Sequence, residues 1–225
     1  MDLNLIVMTV IKKKFIKMNN QEHKYIIGID EVGRGPIAGP VAVCSFIANE
    51  KNLVGIIEKA RKEYSLPIRD SKKLTKKMRE KWFEYLKKQK EEGICNFKVS
   101  FVSPENIDKF GIAKCIQKAL GESIKKVTSQ KELPASFYIF LDGGLHAPAE
   151  YINQETIIKG DELHPVISLA SIVAKVSPDS VMTKYGDEYP EYGFEKHSGY
   201  GTKSHYEAIK KHGQTPIHRK SFIHN

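Results

Sequence analysis

Cysteine is scarce in this chain of 225 residues: Cys44, Cys95 and Cys115 stand far apart, are odd in number and form no C-x-x-C pair. That excludes a disulfide framework and a thiolate metal site, and makes a reducing cytoplasm the expected setting. Long apolar runs are missing too. The one membrane-like stretch, Leu3 to Ile11, is far shorter than the roughly 20 residues a bilayer span requires. It follows Asp2 and precedes Lys12, Lys13 and Lys14, the reverse of a secretory signal, and no small-residue cleavage site follows, so neither export nor membrane attachment is expected. With only 16 Gly and 10 Pro, a fibre or a disordered chain is excluded. Neither a G-x-x-x-x-G-K-[ST] loop nor a G-x-G-x-x-G fingerprint occurs. No histidine shows zinc-ligand spacing, so His197, His205, His212 and His218 are expected to be solvated surface residues.

Positive charge is plentiful. Thirty-six Lys and Arg against 27 Asp and Glu leave a net charge of +9 and a pI near 9.2, a bias that favours polyanionic partners. Hydrophobic residues make up 40% of the chain and no repeat or linker divides it. We read residues 24–225 as one domain with a helical segment from about Ser180, preceded by an extension over residues 1–23. Globular patterning begins only near Lys24, so translation starting at Met18 is a further expectation; an intact Met1 or Asp2 terminus in N-terminal mass spectrometry would exclude it.

The pattern predicts an α/β fold. Tyr25 to Ile29 is a short apolar run leading into Asp30 and Glu31, and Val41 to Ala48 is a second, joined to it by a Gly- and Pro-rich connection. Thr75 caps a helix to about Glu92, ended by Gly93, with Trp82 among its packing residues. Asn96 to Val102 alternates as a strand. Ser103 and Pro104 start a helix expected to run past Cys115 to about Leu120. Strands are predicted at Phe137 to Leu141, ending at Asp142, and at Thr156 to Lys159, ending at Gly160 and Asp161. Pro165 to Val176 reads as an apolar helix, and Thr202 caps another that Gly213 closes.

Asp30, Glu31, Asp142 and Asp161 share a position where a strand ends or a tight turn begins. In α/β folds such positions meet at one edge of the sheet, where gathered carboxylates repel unless hard cations neutralise them. Mg²⁺ or Mn²⁺ is the implied occupant, and two such ions can serve phosphodiester cleavage without a covalent nucleophile. Strand-end aspartates with no common purpose are also frequent, and spacing alone leaves both readings open. The Gly33-Arg34-Gly35-Pro36 turn adds a backbone that a ligand can approach closely and an arginine that can hold a phosphate.

Gly28-Ile-Asp-Glu-Val-Gly-Arg-Gly-Pro-Ile-Ala-Gly-Pro40 resembles the opening signature of ribonuclease HII. The motifs Asp70-Ser-Lys-Lys-Leu-Thr75, Leu141-Asp-Gly143, Lys159-Gly-Asp161, Ala170-Ser-Ile-Val-Ala-Lys175, Gly199-Tyr-Gly-Thr202 and His218-Arg-Lys-Ser-Phe222 follow in that family's order. The resemblance spans roughly residues 24–222. It implies a ribonuclease H-like fold, a mixed five-stranded sheet flanked by helices. Asp30, Glu31, Asp142 and Asp161 match the family's metal-binding and catalytic acids, serving two Mn²⁺ or Mg²⁺ ions. Gly33, Arg34 and Gly35 match the loop that reads the ribose 2′-hydroxyl, and Tyr200 the tyrosine that packs on the following sugar. The implied activity is hydrolysis of the RNA strand of RNA/DNA hybrids, leaving 5′-phosphate and 3′-hydroxyl ends, with nicking 5′ of a single ribonucleotide in duplex DNA. Lys72, Lys73 and Lys175 are candidate phosphate contacts, as are Lys203 and Arg219, with a solvated basic face as the alternative for each.

Two segments depart from the family pattern. Pro178 stands where Arg or Lys is expected and should kink its helix, beside an Asp179 assigned a supporting role. Gly143 to Glu155 replaces the usual Gly-Asn after the aspartate. A monomer is expected, and Phe222 to Asn225 offers no evident clamp-binding tail. The related ribonuclease HIII carries an added N-terminal domain and a lysine in place of Arg34. Two further readings keep the basic surface: a nuclease of the same fold cutting all-DNA junctions, and a hybrid-binding module whose acids are inert.

Overall fold

A computed structural model describes residues 23–68, 73–128 and 133–223. Five strands form one sheet in the order β3-β2-β1-β4-β5: β1 (Tyr25–Val32), β2 (Val41–Ala48), β3 (Asn96–Val102), β4 (Phe137–Asp142) and β5 (Gln154–Ile157). β1 runs antiparallel to β2 and parallel to β4, and β4 runs parallel to β5. The sheet is therefore mixed and five-stranded. Its central strand β1 is covered on both faces, which is why Tyr25 to Ile29 reads as a continuous apolar run instead of an alternating one.

The strand period of two divides β1 between two cores. Ile27 and Ile29 face one layer, where α3 (Pro104–Phe110) and α4 (Ile112–Val127) contribute Ile107, Ile116, Leu120 and Ile124. Ile26 faces the other, built by α1 (Glu50–Tyr64), α2 (Lys76–Glu91) and α6 (Pro165–Glu188), with Trp82 fully buried. Gly28 shares that second face because α6 lies directly on it. A Cβ at Gly28 would collide with the Val166 carbonyl. Two residues on, Asp30 consequently points toward the same helix. α6 is long and apolar enough to cross a membrane, but Val166 to Ala174 are buried against the sheet, as in a core helix.

A third, smaller core of Ala38, Met182, Tyr192, Phe194 and Ile217 lies beyond the sheet edge. It joins the second half of α6 to the short helix α7 (Phe194–His197), to α8 (Lys203–His212) and to the chain after it.

Several boundaries differ from the sequence reading. The helix begun by Ser103 is two helices, broken at Gly111 (φ 80°) and extending to Val127. β5 lies at Gln154–Ile157, two residues ahead of the expected strand. α6 runs 24 residues through Pro178 without ending there, so no boundary falls at Ser180. α1 had no counterpart in the sequence reading, although Asn49 caps it and Leu53, Ile56, Ile57 and Ala60 fall at helical spacing. Residues 1–22, Lys72 and the rest of 69–72 lie outside the described residues.

Candidate active site

The parallel pairing of β1 with β4 brings their carboxyl ends side by side, placing Asp30 and Asp142 on neighbouring strands. The four-residue helix α5 (Gly160–Leu163), reached through Lys159 in a left-handed turn (φ 56°), supplies Asp161 beside them. One carboxylate oxygen from each of Asp30, Asp142 and Asp161 lies within 4.8 Å of the others. Asp30 and Asp161 are buried and Asp142 is partly exposed.

Local backbone amides orient two of the carboxylates. The Glu31 amide donates to Asp30 Oδ1 at 2.8 Å, and the Gly160 amide donates to Asp142 Oδ1 at 2.6 Å. The Ser168 hydroxyl donates to the Asp161 carbonyl at 2.6 Å, locking α5 to the start of α6. Glu31 is the fourth acid. Its Oε1 accepts from Arg34 Nη1 at 3.0 Å, whereas its Oε2 is buried with no hydrogen-bond partner.

Burial is the main force on Asp30 and Glu31. It lifts Asp30 from the ordinary carboxylate range to about 7; Lys175 and Ser171 oppose the shift, and the neighbouring Asp142 and Glu31 reinforce it. Burial also raises Glu31, against the pull of Arg34. Lys175, on α6, offsets part of this repulsion. Its Nζ lies 3.7 Å from Asp30 Oδ2 and donates to Ser171 Oγ at 2.6 Å. Gathered carboxylates, with burial raising the proton affinity of Asp30 and Glu31 and a buried oxygen on Glu31 without a hydrogen-bond partner, have the donor chemistry for hard divalent cations. The residues present therefore fit Mg²⁺ or Mn²⁺.

The Gly33–Gly35 turn leaves β1 next to the cluster. Gly33 has φ 89°, and a Cβ there would stand 2.8 Å from the Pro40 carbonyl oxygen, so the turn admits no side chain without shifting backbone. A Cβ at Gly35 would lie 3.4 Å from the Tyr200 ring, which is half exposed. The turn, the ring and the acids thus share one edge of the molecule.

The expected basic contacts divide. Lys73 is exposed and stands 3.5 Å from Glu162, and Lys203 is exposed on the first turn of α8, 3.9 Å from Glu207. Lys175 is not a surface contact, because it turns inward to Asp30. Arg219 is fully buried. Its Nε donates to the Gly39 carbonyl at 2.9 Å and its Nη1 to the Arg34 carbonyl at 3.2 Å. Burial draws its pKa down to about 10, which leaves it charged at neutral pH.

The histidines also depart from the surface expectation. His205 and His218 are buried and joined Nε2 to Nε2 at 3.0 Å, and His197 stacks on His205 with ring centroids 4.4 Å apart. Only His212 is exposed among the four. Asp179 stands apart from the cluster and faces Arg79 and Lys76. Nothing in sequence spacing marks Arg219 as an interior group, because its partners lie 180 and 185 residues away in the chain, or the histidines, whose 13-residue separation follows no local pattern.

A mixed five-stranded sheet with carboxylates gathered at the ends of its central parallel strands defines a nuclease of the ribonuclease H-like class. Residues 27–225 match the ribonuclease HII family, and the chain belongs to that family. It is 44% identical over 201 residues to the ribonuclease HII of Clostridioides difficile (strain 630), covering 89% of this chain and 71% of that one. Among solved structures it resembles the ribonuclease H2 of Pyrococcus horikoshii OT3, with a TM-score of 0.63 and 26% identity over 88% of this chain and 93% of that one. The ribonuclease HII of Archaeoglobus fulgidus, solved in complex with PCNA, gives a TM-score of 0.63 and 25% identity over 89% and 96%. The chain is thus a ribonuclease H, an endonuclease acting on the RNA strand of RNA/DNA hybrids. The expected absence of a clamp-binding tail gains no support from a relative solved with a clamp, and residues 224–225 lie outside the described residues.

Proposed function

We propose that the enzyme recognises RNA-to-DNA junctions, nicking duplex DNA on the 5′ side of a single embedded ribonucleotide as well as cutting longer hybrids. The observation that carries this reading is the nearness of Gly35 to the exposed Tyr200 ring, which lies 3.4 Å from where a Cβ on Gly35 would stand, beside the acid cluster. Backbone groups of Gly33, Arg34 and Gly35 would take the 2′-hydroxyl, the one group that distinguishes a ribonucleotide. The Tyr200 ring would lie on the next sugar, where a deoxyribose leaves room.

Asp30, Glu31, Asp142 and Asp161 would hold two divalent cations, Mg²⁺ or Mn²⁺. When bound, such ions activate water for attack on phosphorus and stabilise the departing 3′-oxygen, leaving a 5′-phosphate. The chain's own groups prepare that site. Gly160 and the Glu31 amide each occupy one oxygen of Asp142 and Asp30, so the carboxylates are oriented before any ligand arrives. Arg34 draws Glu31 toward the turn, coupling the acids to the loop that faces the sugar. Lys175 keeps part of the cluster's charge balanced from the helix side. Lys73 and Lys203, with Lys72, would add phosphate contacts along the duplex.

The setting we propose is the cytoplasm, with the enzyme acting as a monomer; three buried free thiols suit a reducing compartment. A labelled DNA duplex with one ribonucleotide, incubated with Mg²⁺, Mn²⁺ or EDTA beside an all-DNA control, tests the proposal. A metal-dependent nick 5′ of the ribonucleotide and none in the control is the expected result. Cleavage of long hybrids without that nick would remove the junction reading, and equal cleavage of the control would point to a DNA nuclease.

A further inference from the structure

The chain around Arg219 ties together the two elements proposed to read the junction. Residues just past the Gly-Arg-Gly turn are stitched to both neighbours. The Gly199 carbonyl accepts from the Ile37 amide at 2.9 Å and the Ala38 amide at 3.2 Å. On the other side the Gly39 amide donates to the Ile217 carbonyl, and the Arg219 amide to the Ile37 carbonyl, each at 2.8 Å. Ala38 and His218 form an isolated antiparallel bridge.

Two adjacent side chains extend from that bridge to the two reading elements. Arg219 spans the carbonyl of Arg34, within the turn, and that of Gly39, just past it. Its Nη2 is buried with no hydrogen-bond partner, 3.7 Å from where a Cβ on Gly33 would stand. A planar guanidinium can hold two carbonyls in fixed geometry; a single ammonium cannot. His218 leads to Tyr200. The Thr215 amide donates to His218 Nδ1 at 2.9 Å, so a neutral His218 donates through Nε2 to His205 Nε2. His205 then donates through Nδ1 to the Tyr200 carbonyl at 2.9 Å. Both tautomers are thereby assigned by the hydrogen-bond pattern, and the chain from Thr215 to Tyr200 runs in one direction.

We propose that Arg219 and the His218–His205 pair are positioning residues that fix the Gly33–Gly35 turn and Tyr200 relative to each other, and so set the enzyme's preference for a lone ribonucleotide. The inference rests on the junction reading given above. All three side chains are buried, so they act through the turn and the ring and not by touching the duplex. A long RNA strand offers the turn a 2′-hydroxyl in every register, whereas a lone ribonucleotide offers one. A shift of Tyr200 relative to the turn therefore penalises the lone ribonucleotide more.

The test compares cleavage of a single-ribonucleotide duplex with cleavage of an all-RNA hybrid by one preparation of each variant, because loss of folded enzyme cancels from that ratio. Arg219→Lys keeps the charge and loses the two-carbonyl grip; His205→Gln removes the ring donation to Tyr200 and leaves Arg219 in place. Each is expected to lower the ratio about tenfold while all-RNA cleavage stays within about threefold of wild type, as for a displaced positioning contact. If Arg219→Lys fails to fold, His205→Gln decides. An unchanged ratio in the folded variants, with Tyr200→Ala still lowering it, would overturn the positioning role and leave the junction reading intact. A wild-type enzyme that never nicks the lone ribonucleotide would bring down the junction reading, and this inference with it.

Discussion

The two halves of the site are built on opposite electrostatic terms. At the sheet edge, rigid strands force carboxylates together, and burial raises the proton affinity of Asp30 and Glu31. Beneath Tyr200, a separate small core keeps two imidazoles neutral, and burial lowers theirs: His205 falls below its usual value, and His218 to about 4 with His205 as a secondary cause. The first half gains stability from protons or cations, and the second loses it to protons. A molecule can therefore combine a charge cluster that calls for ligands with a neighbouring surface whose supporting imidazoles need none to hold its shape.

The largest effect should come from the acids. Asp30→Asn or Asp142→Asn should reduce cleavage by a factor of about 1,000 or more, since on the proposed reading each change removes a carboxylate that would hold a divalent cation. Binding of hybrid, measured by fluorescence anisotropy, should remain, because the basic surface is untouched. Substantial activity in both variants would remove these residues from the reacting centre.

Acid should act on the other half. His218 carries a folded-state pKa of about 4 against an ordinary 6.5, so its stabilising contribution is complete above pH 6.5 and is lost as pH falls toward 4. The full loss is about 3 kcal/mol. His205 shifts in the same direction. Asp30 runs the other way. With its pKa raised to about 7 in the cation-free protein, it favours folding below the ordinary carboxylate value and loses that contribution as pH rises through 7. Urea denaturation of wild type and His218→Gln across pH 4 to 6.5, with EDTA present, should show the steeper acid loss in wild type. Parallel curves would mean the imidazoles are not the acid-sensitive element.

Tyr200→Ala should lower the ratio of lone-ribonucleotide to all-RNA cleavage by tenfold to a hundredfold, if the ring's packing contributes about 1–3 kcal/mol, as aromatic stacking on nucleotides does. Its thermal midpoint should hardly move, because the ring is half exposed. A large drop in the midpoint with an unchanged ratio would make the ring structural. The smallest effect concerns cations without substrate. Mg²⁺ or Mn²⁺ at ten times its dissociation constant should stabilise wild type by about 1.4 kcal/mol, and Asp142→Asn by less, as read from the thermal midpoint. Equal stabilisation of both would place the cation elsewhere.

The legible parts of the molecule were those governed by local rules. Thr75 and Thr202 cap helices as their spacing indicates, and β3 covers the residues that alternate. The four acids could be singled out because each follows an apolar run, although Asp30 and Glu31 lie inside β1, which continues to Val32, and Asp161 lies in the first turn of a short helix; only Asp142 closes its strand. The break at Gly111 and the uninterrupted passage of α6 through Pro178 depend on what the helices pack against, which local propensity does not encode. Arg219 illustrates the limit most sharply. Read alone it is a surface cation, and only its bond to Gly39, 180 residues away in sequence, makes it an interior one. The imidazoles are interior for a different reason: each satisfies the other across 13 residues, a spacing that no helix or strand period marks.

That long reach also orders the events of synthesis. Every side chain of the acid cluster, together with its counter-cation Lys175, is present once the chain has grown past α6, whereas the grip on the Gly-Arg-Gly turn waits for Arg219. A nascent chain with Arg219 still inside the ribosome holds every acid of the cluster but lacks the guanidinium grip on the turn. On the junction reading proposed above, the grip that would fix the turn is thus completed later than the set of acids.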